Sequence, residues 1–244
     1  MIEVQNLHKT FGKVQAVAGV SFTAPDGQIT GLLGPNGAGK TTTLRMLYTL
    51  MSPETGTIRI DGIDARNQTL DARRHLGVLP DARGLYKRLT ARENIAYFAR
   101  LHGLGGKTLG VQVDAIINLL AMQDIADRRT EGFSQGQRVK VALARALVHQ
   151  PHNLILDEPG NGLDVMATRA LREFLRQQRA EGRCVLFSSH IMQEVTALCD
   201  RIVVMAKGRV AAEGTAEELR ARTGAANLED AFVSLIGTSE GLAA

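Results

Sequence analysis

The eight residues GPNGAGKT, Gly34 to Thr41, carry the densest chemistry in the chain. They fit the pattern G-x-x-x-x-G-K-[ST] and lie between an apolar run, QITGLLG, and a helical one, TTTLRMLYTL. Gly34, Gly37 and Gly39 let the backbone close on phosphate oxygens with no Cβ in between, and free peptide N–H groups at a helix start point at an anion. A triphosphate is therefore expected on Gly34, Pro35, Asn36, Gly37, Ala38, Gly39, Lys40, Thr41 and Thr42. In this reading Lys40 neutralises the β and γ phosphates, and the Thr41 hydroxyl binds Mg²⁺. The competing reading is a chance glycine turn, and the strand-before, helix-after context tells against it.

A second group of chemical residues closes another apolar run. Leu154, Ile155 and Leu156 end abruptly in Asp157 and Glu158, followed by Pro159. Two adjacent carboxylates there are expensive to bury unless a cation or a reacting water uses them. Asp157 is expected in the Mg²⁺ shell. Neighbouring strand residues point opposite ways, which leaves Glu158 to face the γ phosphate as base for the attacking water. The competing reading makes both carboxylates first-turn charges of the next helix. His190 follows the apolar run CVLFSS, at the carboxyl edge of a sheet where ligands of α/β proteins sit, and a γ-phosphate contact is expected of it. The stretch FSQGQ, residues 133–137, adds a puzzle, because Ser134 is a good N-cap and Gly136 permits close approach at another helix start. One nucleotide needs only one such cradle.

Elements of both kinds must position these groups. IEVQNL and VQAVAGVSFTA read as strands, followed by QITGLLG, TIRIDG and HLGVLP. Helical periodicities then dominate about residues 82–150 in ARENIAYFARLHG, VQVDAIINLLAMQ and SQGQRVKVALARALVHQ, a block expected to form a helical subdomain. Strand and helix alternate again through NLILD, VMATRALREFLRQQRAEG, RCVLFSS, HIMQEVTAL, DRIVVMA and RVAAEG, which predicts a mainly parallel sheet covered on both faces. Two short helices, TAEELRART and NLEDAFVSLIG, belong to a tail at about 214–244. The expectation is one domain over residues 1–244.

The chain has 244 residues and a net charge of +4, too small and too scattered a surplus for a nucleic-acid footprint. Its two cysteines, Cys184 and Cys199, have no metal-like or disulfide-rich spacing, as expected of a reduced, cytoplasmic protein. The N-terminus lacks a signal peptide's apolar core, and no apolar run approaches the roughly 20 residues that span a bilayer. Work at a membrane would require another protein to cross it.

The ordered set GPNGAGKT, FSQGQ, LILDEP, NGLD and SSH resembles the ATP-binding subunit of ABC transporters over essentially the whole chain. The resemblance implies an α/β fold: a P-loop NTPase core with a mainly parallel sheet, an N-terminal antiparallel β subdomain and an inserted α-helical subdomain. It implies ATP and Mg²⁺, a second ABC ATPase subunit (another copy of this chain being expected), integral membrane permease subunits, no nucleic acid, and a peripheral place on the cytoplasmic face of the cell membrane. It also answers the puzzle of FSQGQ. In that family two cassettes pair head to tail, so that Ser134, Gln135, Gly136 and Gln137 would close over the neighbour's ATP, with Asp164 of NGLD at the same interface. Phe11 corresponds to the aromatic on which adenine stacks.

Three departures from the family pattern stand out. Phe133 and Gln135 replace the first and third residues of the usual LSGGQ, and Asp81 stands where a glutamine normally senses Mg²⁺ and the permease. Gly160-Asn161 replaces the commoner small-residue pair after the carboxylates. PDARGLYKRLTARENIAYFARLHG and the tail NLEDAFVSLIG are most similar to exporters with separate permeases, the sodium-extruding members above all, and RGLYKR, Arg83 to Arg88, would lie near the groove that receives a permease loop. The rival readings are a soluble ABC ATPase acting on DNA or ribosomes, whose tandem cassettes, long coiled coil or zinc modules this sequence lacks, and a P-loop kinase or GTPase, which leaves FSQGQ unexplained.

Overall fold

The computed structural model of the protein describes residues 1–81 and 84–237. The N-terminal third contains β1 (Ile2–Phe11), β2 (Val14–Ala24), β3 (Ile29–Leu33), α1 (Lys40–Leu47), β4 (Thr55–Ile60), β5 (Ile63–Asp64), α2 (Thr69–Arg74) and β6 (Leu76–Leu79). Three helices follow, α3 (Ala91–Leu101), α4 (Gly106–Leu119) and α5 (Gln135–Leu147). The chain then alternates through β7 (Asn153–Leu156), α6 (Val165–Ala180), β8 (Cys184–Ser189), α7 (Met192–Leu198), β9 (Arg201–Ala206) and β10 (Arg209–Gly214), and closes with α8 (Ala216–Thr223) and α9 (Leu228–Ile236).

The strands form two sheets. One is antiparallel, in the order β2-β1-β4-β5, with Ile2, Val4 and Leu7 of β1 buried on its inner face beside Val20, Phe22, Ile58 and Ile60. The other has six strands in the order β10-β9-β3-β8-β7-β6, parallel throughout except for the β9–β10 hairpin. Its parallel strands are buried on both faces, and the period of two sorts their residues between two cores. Leu32, Ile155, Leu186 and Val203 pack with the antiparallel sheet and α1, whereas Leu33, Leu154, Leu156, Val185 and Phe187 pack with α3, α5, α6 and α9. This is the α/β architecture expected, with its antiparallel sheet, mostly parallel sheet and helical segment.

That order positions the chemistry. β3, β8 and β7 are neighbours and parallel, so the glycine loop, His190 and the Asp157-Glu158 pair all leave the sheet at one edge. The helices α3, α4 and α5 occupy the connection between β6 and β7 and share the second core. Two details depart from the sequence reading. The pattern beginning at Val111 continues upstream, so that α4 starts at Gly106, and β5 and α2 fill a stretch that shows no clear periodicity. Arg83, at the head of RGLYKR, and the last residues of the tail lie outside the described residues.

Candidate nucleotide site

The glycine loop bends around a cavity of about 790 Å³ at the carboxyl edge of the sheet. Its lining includes Pro35, Asn36, Gly37, Ala38, Gly39, Lys40, Thr41 and Thr42, together with Asp81, Glu158 and His190. Gly34 lies behind them, its carbonyl turned to Lys40. Two glycines serve different needs. Gly39 has φ 97°, and a Cβ there would sit 2.4 Å from the Ala16 carbonyl oxygen, so the crowding comes from the fold itself. Gly37 has φ 80° but open space where its Cβ would be, which keeps the backbone bare toward the cavity.

Lys40 opens α1 and is buried. Its ammonium donates to the carbonyl oxygens of Gly34 at 2.7 Å and Pro35 at 3.3 Å, and lies 3.5 Å from Glu158 Oε1. Lys40 is thus paired with Glu158, with loop carbonyls holding its ammonium inward.

Asp157 follows β7 directly and is 1% exposed. Its Oδ1 accepts hydrogen bonds from Ser188 Oγ at 2.6 Å and Thr41 Oγ1 at 3.3 Å, while Oδ2 is buried without a hydrogen-bond partner. Burial pushes this carboxyl above the usual range against the pull of those hydroxyls, and the nearby charges of Asp81 and Glu158 add to the rise. A buried carboxylate oxygen with nothing to bind, beside a threonine hydroxyl, is the donor set a hard divalent cation takes.

Glu158 stands beyond the strand rather than in it, with φ 47°. Its separation from Asp157 therefore comes from a left-handed backbone, not from strand alternation, and a non-glycine residue in that region is strained. Ser188 helps hold it, accepting the Glu158 N–H at 2.9 Å while donating to Asp157. His190 lies beyond the end of β8 with Nδ1 2.9 Å from Glu158 Oε2. Glu158 and His190 thus meet from the ends of two neighbouring strands.

The FSQGQ segment lies elsewhere. Phe133 is buried, and Ser134 caps α5 in a reciprocal box: its Oγ accepts the Gln137 N–H at 3.2 Å while Gln137 Oε1 accepts the Ser134 N–H at 3.0 Å. Among the described residues a Cβ on Gly136 would meet only Ala167 Cβ at an ordinary 3.4 Å, so none of them demands glycine there. Gln135 donates to the Asn161 carbonyl at 3.4 Å and packs against Gly162. Ser134, Gln135, Gly136 and Gln137 are absent from the lining of the glycine-loop cavity. Asp164 caps α6, accepting the Ala167 N–H at 2.7 Å.

Asp81 bridges two regions, lining both the glycine-loop cavity and a second one of about 380 Å³ with Leu85 and Gln135. Phe11 is 47% exposed at the end of β1, with the Lys9 ammonium 5.8 Å from its ring, and does not line the nucleotide cavity. Val14, Gln15 and Ala16 do, as do Asn161, Lys207 and Gly208. Sequence reading missed these six. Asn161 opens NGLD, but no motif marks the other five, since β2 and the β9–β10 turn reach the loop only through the tertiary arrangement. Ser188 was also missed, although its place in SSH beside His190 was a usable signal.

Comparison with known proteins agrees with this architecture. The sequence pattern of the ABC transporter family matches residues 17–161. ABC transporter ATP-binding protein NatA of Bacillus subtilis (strain 168) is 43% identical over 91% of this chain and 90% of its own. Nod factor export ATP-binding protein I of Burkholderia lata is 40% identical over 89% of this chain and 72% of its own. The dimeric structure of MJ0796, a bacterial ABC transporter cassette, superposes with a TM-score of 0.80 at 25% identity, over 88% of this chain and 98% of that one. With more than half its length matched and a relative this similar almost end to end, the chain belongs to the ABC transporter family, as an ATP-binding subunit whose ATP hydrolysis is coupled to transport.

Proposed function

We propose that this subunit powers export through a separate integral membrane permease, from a peripheral position on the cytoplasmic face of the cell membrane, and that it works as a head-to-tail pair with another copy of itself. The observation that carries the pairing is the second cradle. The capped start of α5 presents Ser134 and Gly136 outside the chain's own nucleotide cavity, and Gly136 answers no steric need among the described residues. A second cassette supplies that need, and the dimeric form of the MJ0796 cassette supports it. Among the described residues no helix is long and apolar enough to cross a membrane.

In each half-site the loop from Gly34 to Thr42 binds the phosphates of ATP, with Lys40 exchanging loop carbonyls for phosphate oxygens. Thr41 and Asp157 would hold Mg²⁺, with Asp81 as a further contact, and the ion would there neutralise phosphate charge. Glu158 takes the proton of the attacking water on its carboxylate. His190 steadies that carboxylate through Nδ1 and leaves Nε2 for the γ phosphate. Phe11 stacks on the adenine, an assignment resting on family resemblance alone. Ser134, Gln135, Gly136 and Gln137, with Asp164 nearby, complete the partner's site. The γ phosphate makes contacts that exist only in the closed pair, so its loss lets the pair reopen.

Exporter-like resemblance in the segment from Pro80 to Gly103 and in the tail supports a permease loop docking near Leu85 and Tyr86, and sodium as the cargo. The Nod factor relative is itself an export protein by name. The test uses vesicles that carry the cognate permease. Glu158→Gln should lower ATP turnover by about two to four decades and trap an ATP-bound dimer, and ATP-dependent sodium movement should stop with it. Normal turnover in that variant overturns the assignment of the base. Robust ATP-driven transport of another solute with no sodium movement overturns the cargo.

A further inference from the structure

The Gly160-Asn161 departure has a physical counterpart on α7. Glu194 is in the first turn of that helix, where an acid is ordinarily solvated and favoured by the helix dipole, yet this one is 9% exposed. Its Oε2 accepts the Ser189 Oγ–H at 2.9 Å, and Ser189 Oγ in turn accepts the Ile191 N–H at 3.0 Å. The turn that carries His190 is thus folded around a single hydroxyl held by Glu194. The other side of the carboxylate presses on the loop that leaves Glu158. A Cβ on Gly160 would sit 2.3 Å from Glu194 Oε1 and 3.0 Å from its carboxyl carbon. Glycine at 160 therefore does not serve a turn conformation, since its φ is not in the left-handed region. It serves as a recess.

We propose that Glu194 is a positioning residue for ATP hydrolysis: seated in the recess at Gly160 and bonded to Ser189, it fixes the His190 turn against the loop that follows Glu158. The inference rests on the roles given above to Glu158 and His190. The two reacting-end side chains come from different strands and meet across a single 2.9 Å hydrogen bond. Glu158 is also held in a strained backbone conformation. Side chains arranged this way stay in place only if the loops behind them are fixed, because small misplacements of catalytic groups cost large factors in rate. Ser188 provides that support on the Asp157 side, and Glu194 provides it on the His190 side. A buried carboxylate that served only to start α7 would have no reason to occupy the space where position 160 would otherwise carry a side chain.

The experiment measures steady-state ATPase of the full chain with Ser189→Ala, Glu194→Ala, both together, Glu194→Gln and Gly160→Ala. Ser189→Ala and Glu194→Ala should each lower kcat by about 10- to 100-fold with the KM for ATP changed less than about threefold. The double variant should fall no further than the worse single, since both remove one link. Glu194→Gln keeps an oxygen acceptor for Ser189 and should stay within about threefold of the parent. Gly160→Ala should lower kcat as Glu194→Ala does. If Glu194→Ala does not fold, Ser189→Ala and Glu194→Gln still decide the matter. Parental turnover in Ser189→Ala, or losses that multiply in the double variant, overturns the proposal. Glu158→Gln and His190→Ala run alongside: parental activity in those two brings down the underlying reading, whereas their inactivity with parental Ser189→Ala brings down only this inference.

Discussion

Asp157 carries the clearest conflict between stability and chemistry at the residue scale. Its carboxyl is raised by burial, so its folded state prefers the proton. Stability from such a group is fully present below its unfolded value of 3.8 and lost as pH rises through the raised value, leaving a net cost at neutral pH. Asp157→Asn keeps an acceptor for Ser188 and removes the charge. The nucleotide-free variant should melt higher at pH 7, by roughly 2–4 °C for each 1 kcal/mol recovered in a chain of this size, while Mg²⁺-dependent ATPase is lost. An unchanged or lower melting point would show that the charge is already compensated. The carboxylate pair was legible in sequence because two acids after LIL cannot be explained by packing. The left-handed backbone at Glu158 was not legible, since glycine or asparagine is the usual marker of such a position and glutamate is neither.

Helix α5 shows how an element reads differently from its parts. Its start was legible through Ser134 and, three residues on, Gln137, a reciprocal cap with a sequence signature. The same Ser134 is proposed to reach a neighbour's phosphate, and the two duties can be separated. Ser134→Ala should cost about 1 kcal/mol of stability through the lost cap, read as a small fall in melting temperature, with ATP binding to the single chain retained. Cooperative turnover at high protein concentration should fall well beyond what that small destabilisation accounts for. Equal, slight effects on melting and turnover would leave Ser134 a cap and nothing more. Other elements resisted reading: α4 begins at a glycine with no side-chain cap, and β5 is a two-residue strand defined only by its pairing with β4. The first turn of α4 and the whole of β5 leave no periodic trace, although the rest of α4 does.

At the scale of the molecule, the helical block meets the sheet around a cavity of about 220 Å³ lined by Tyr48, Arg73, Phe98, His102, Arg145 and His149, among others. The imidazoles of His102 and His149 stack at 3.5 Å, and the Arg145 guanidinium lies 3.5 Å above the Phe98 ring. Burial lowers His149 to about 4, with His102 beside it adding to the fall, and lowers Arg145 to about 10. Burial lowers His102 as well. A depressed imidazole contributes stability that is complete above its unfolded value of 6.5 and is lost as pH falls toward 4. The melting temperature should therefore drop across that window, and His149→Phe, which preserves a flat ring against His102, should make the drop shallower. An identical slope in the variant would remove His149 from the account. None of this junction was readable in sequence, because residues 48, 73, 98, 102, 145 and 149 share no local pattern. The parallel sheet was readable through strand–helix alternation; its order, which gathers the ends of β3, β8 and β7 at one edge, was not.

That order has a mechanical corollary. The chain departs from the sheet at β6, travels through α3, α4 and α5, and re-enters on the very next strand, β7. The two strands are parallel, with Leu76 opposite Asn153 and Leu79 opposite Leu156, so the excursion leaves at one edge of the sheet, crosses its face and returns at the other edge. Because α3 and α5 are bedded on that face in one core with Leu79, Leu154 and Leu156, a push on the helical block is borne by the sheet itself, and its outgoing foot delivers the load to Asp81 on the rim of the glycine-loop cavity.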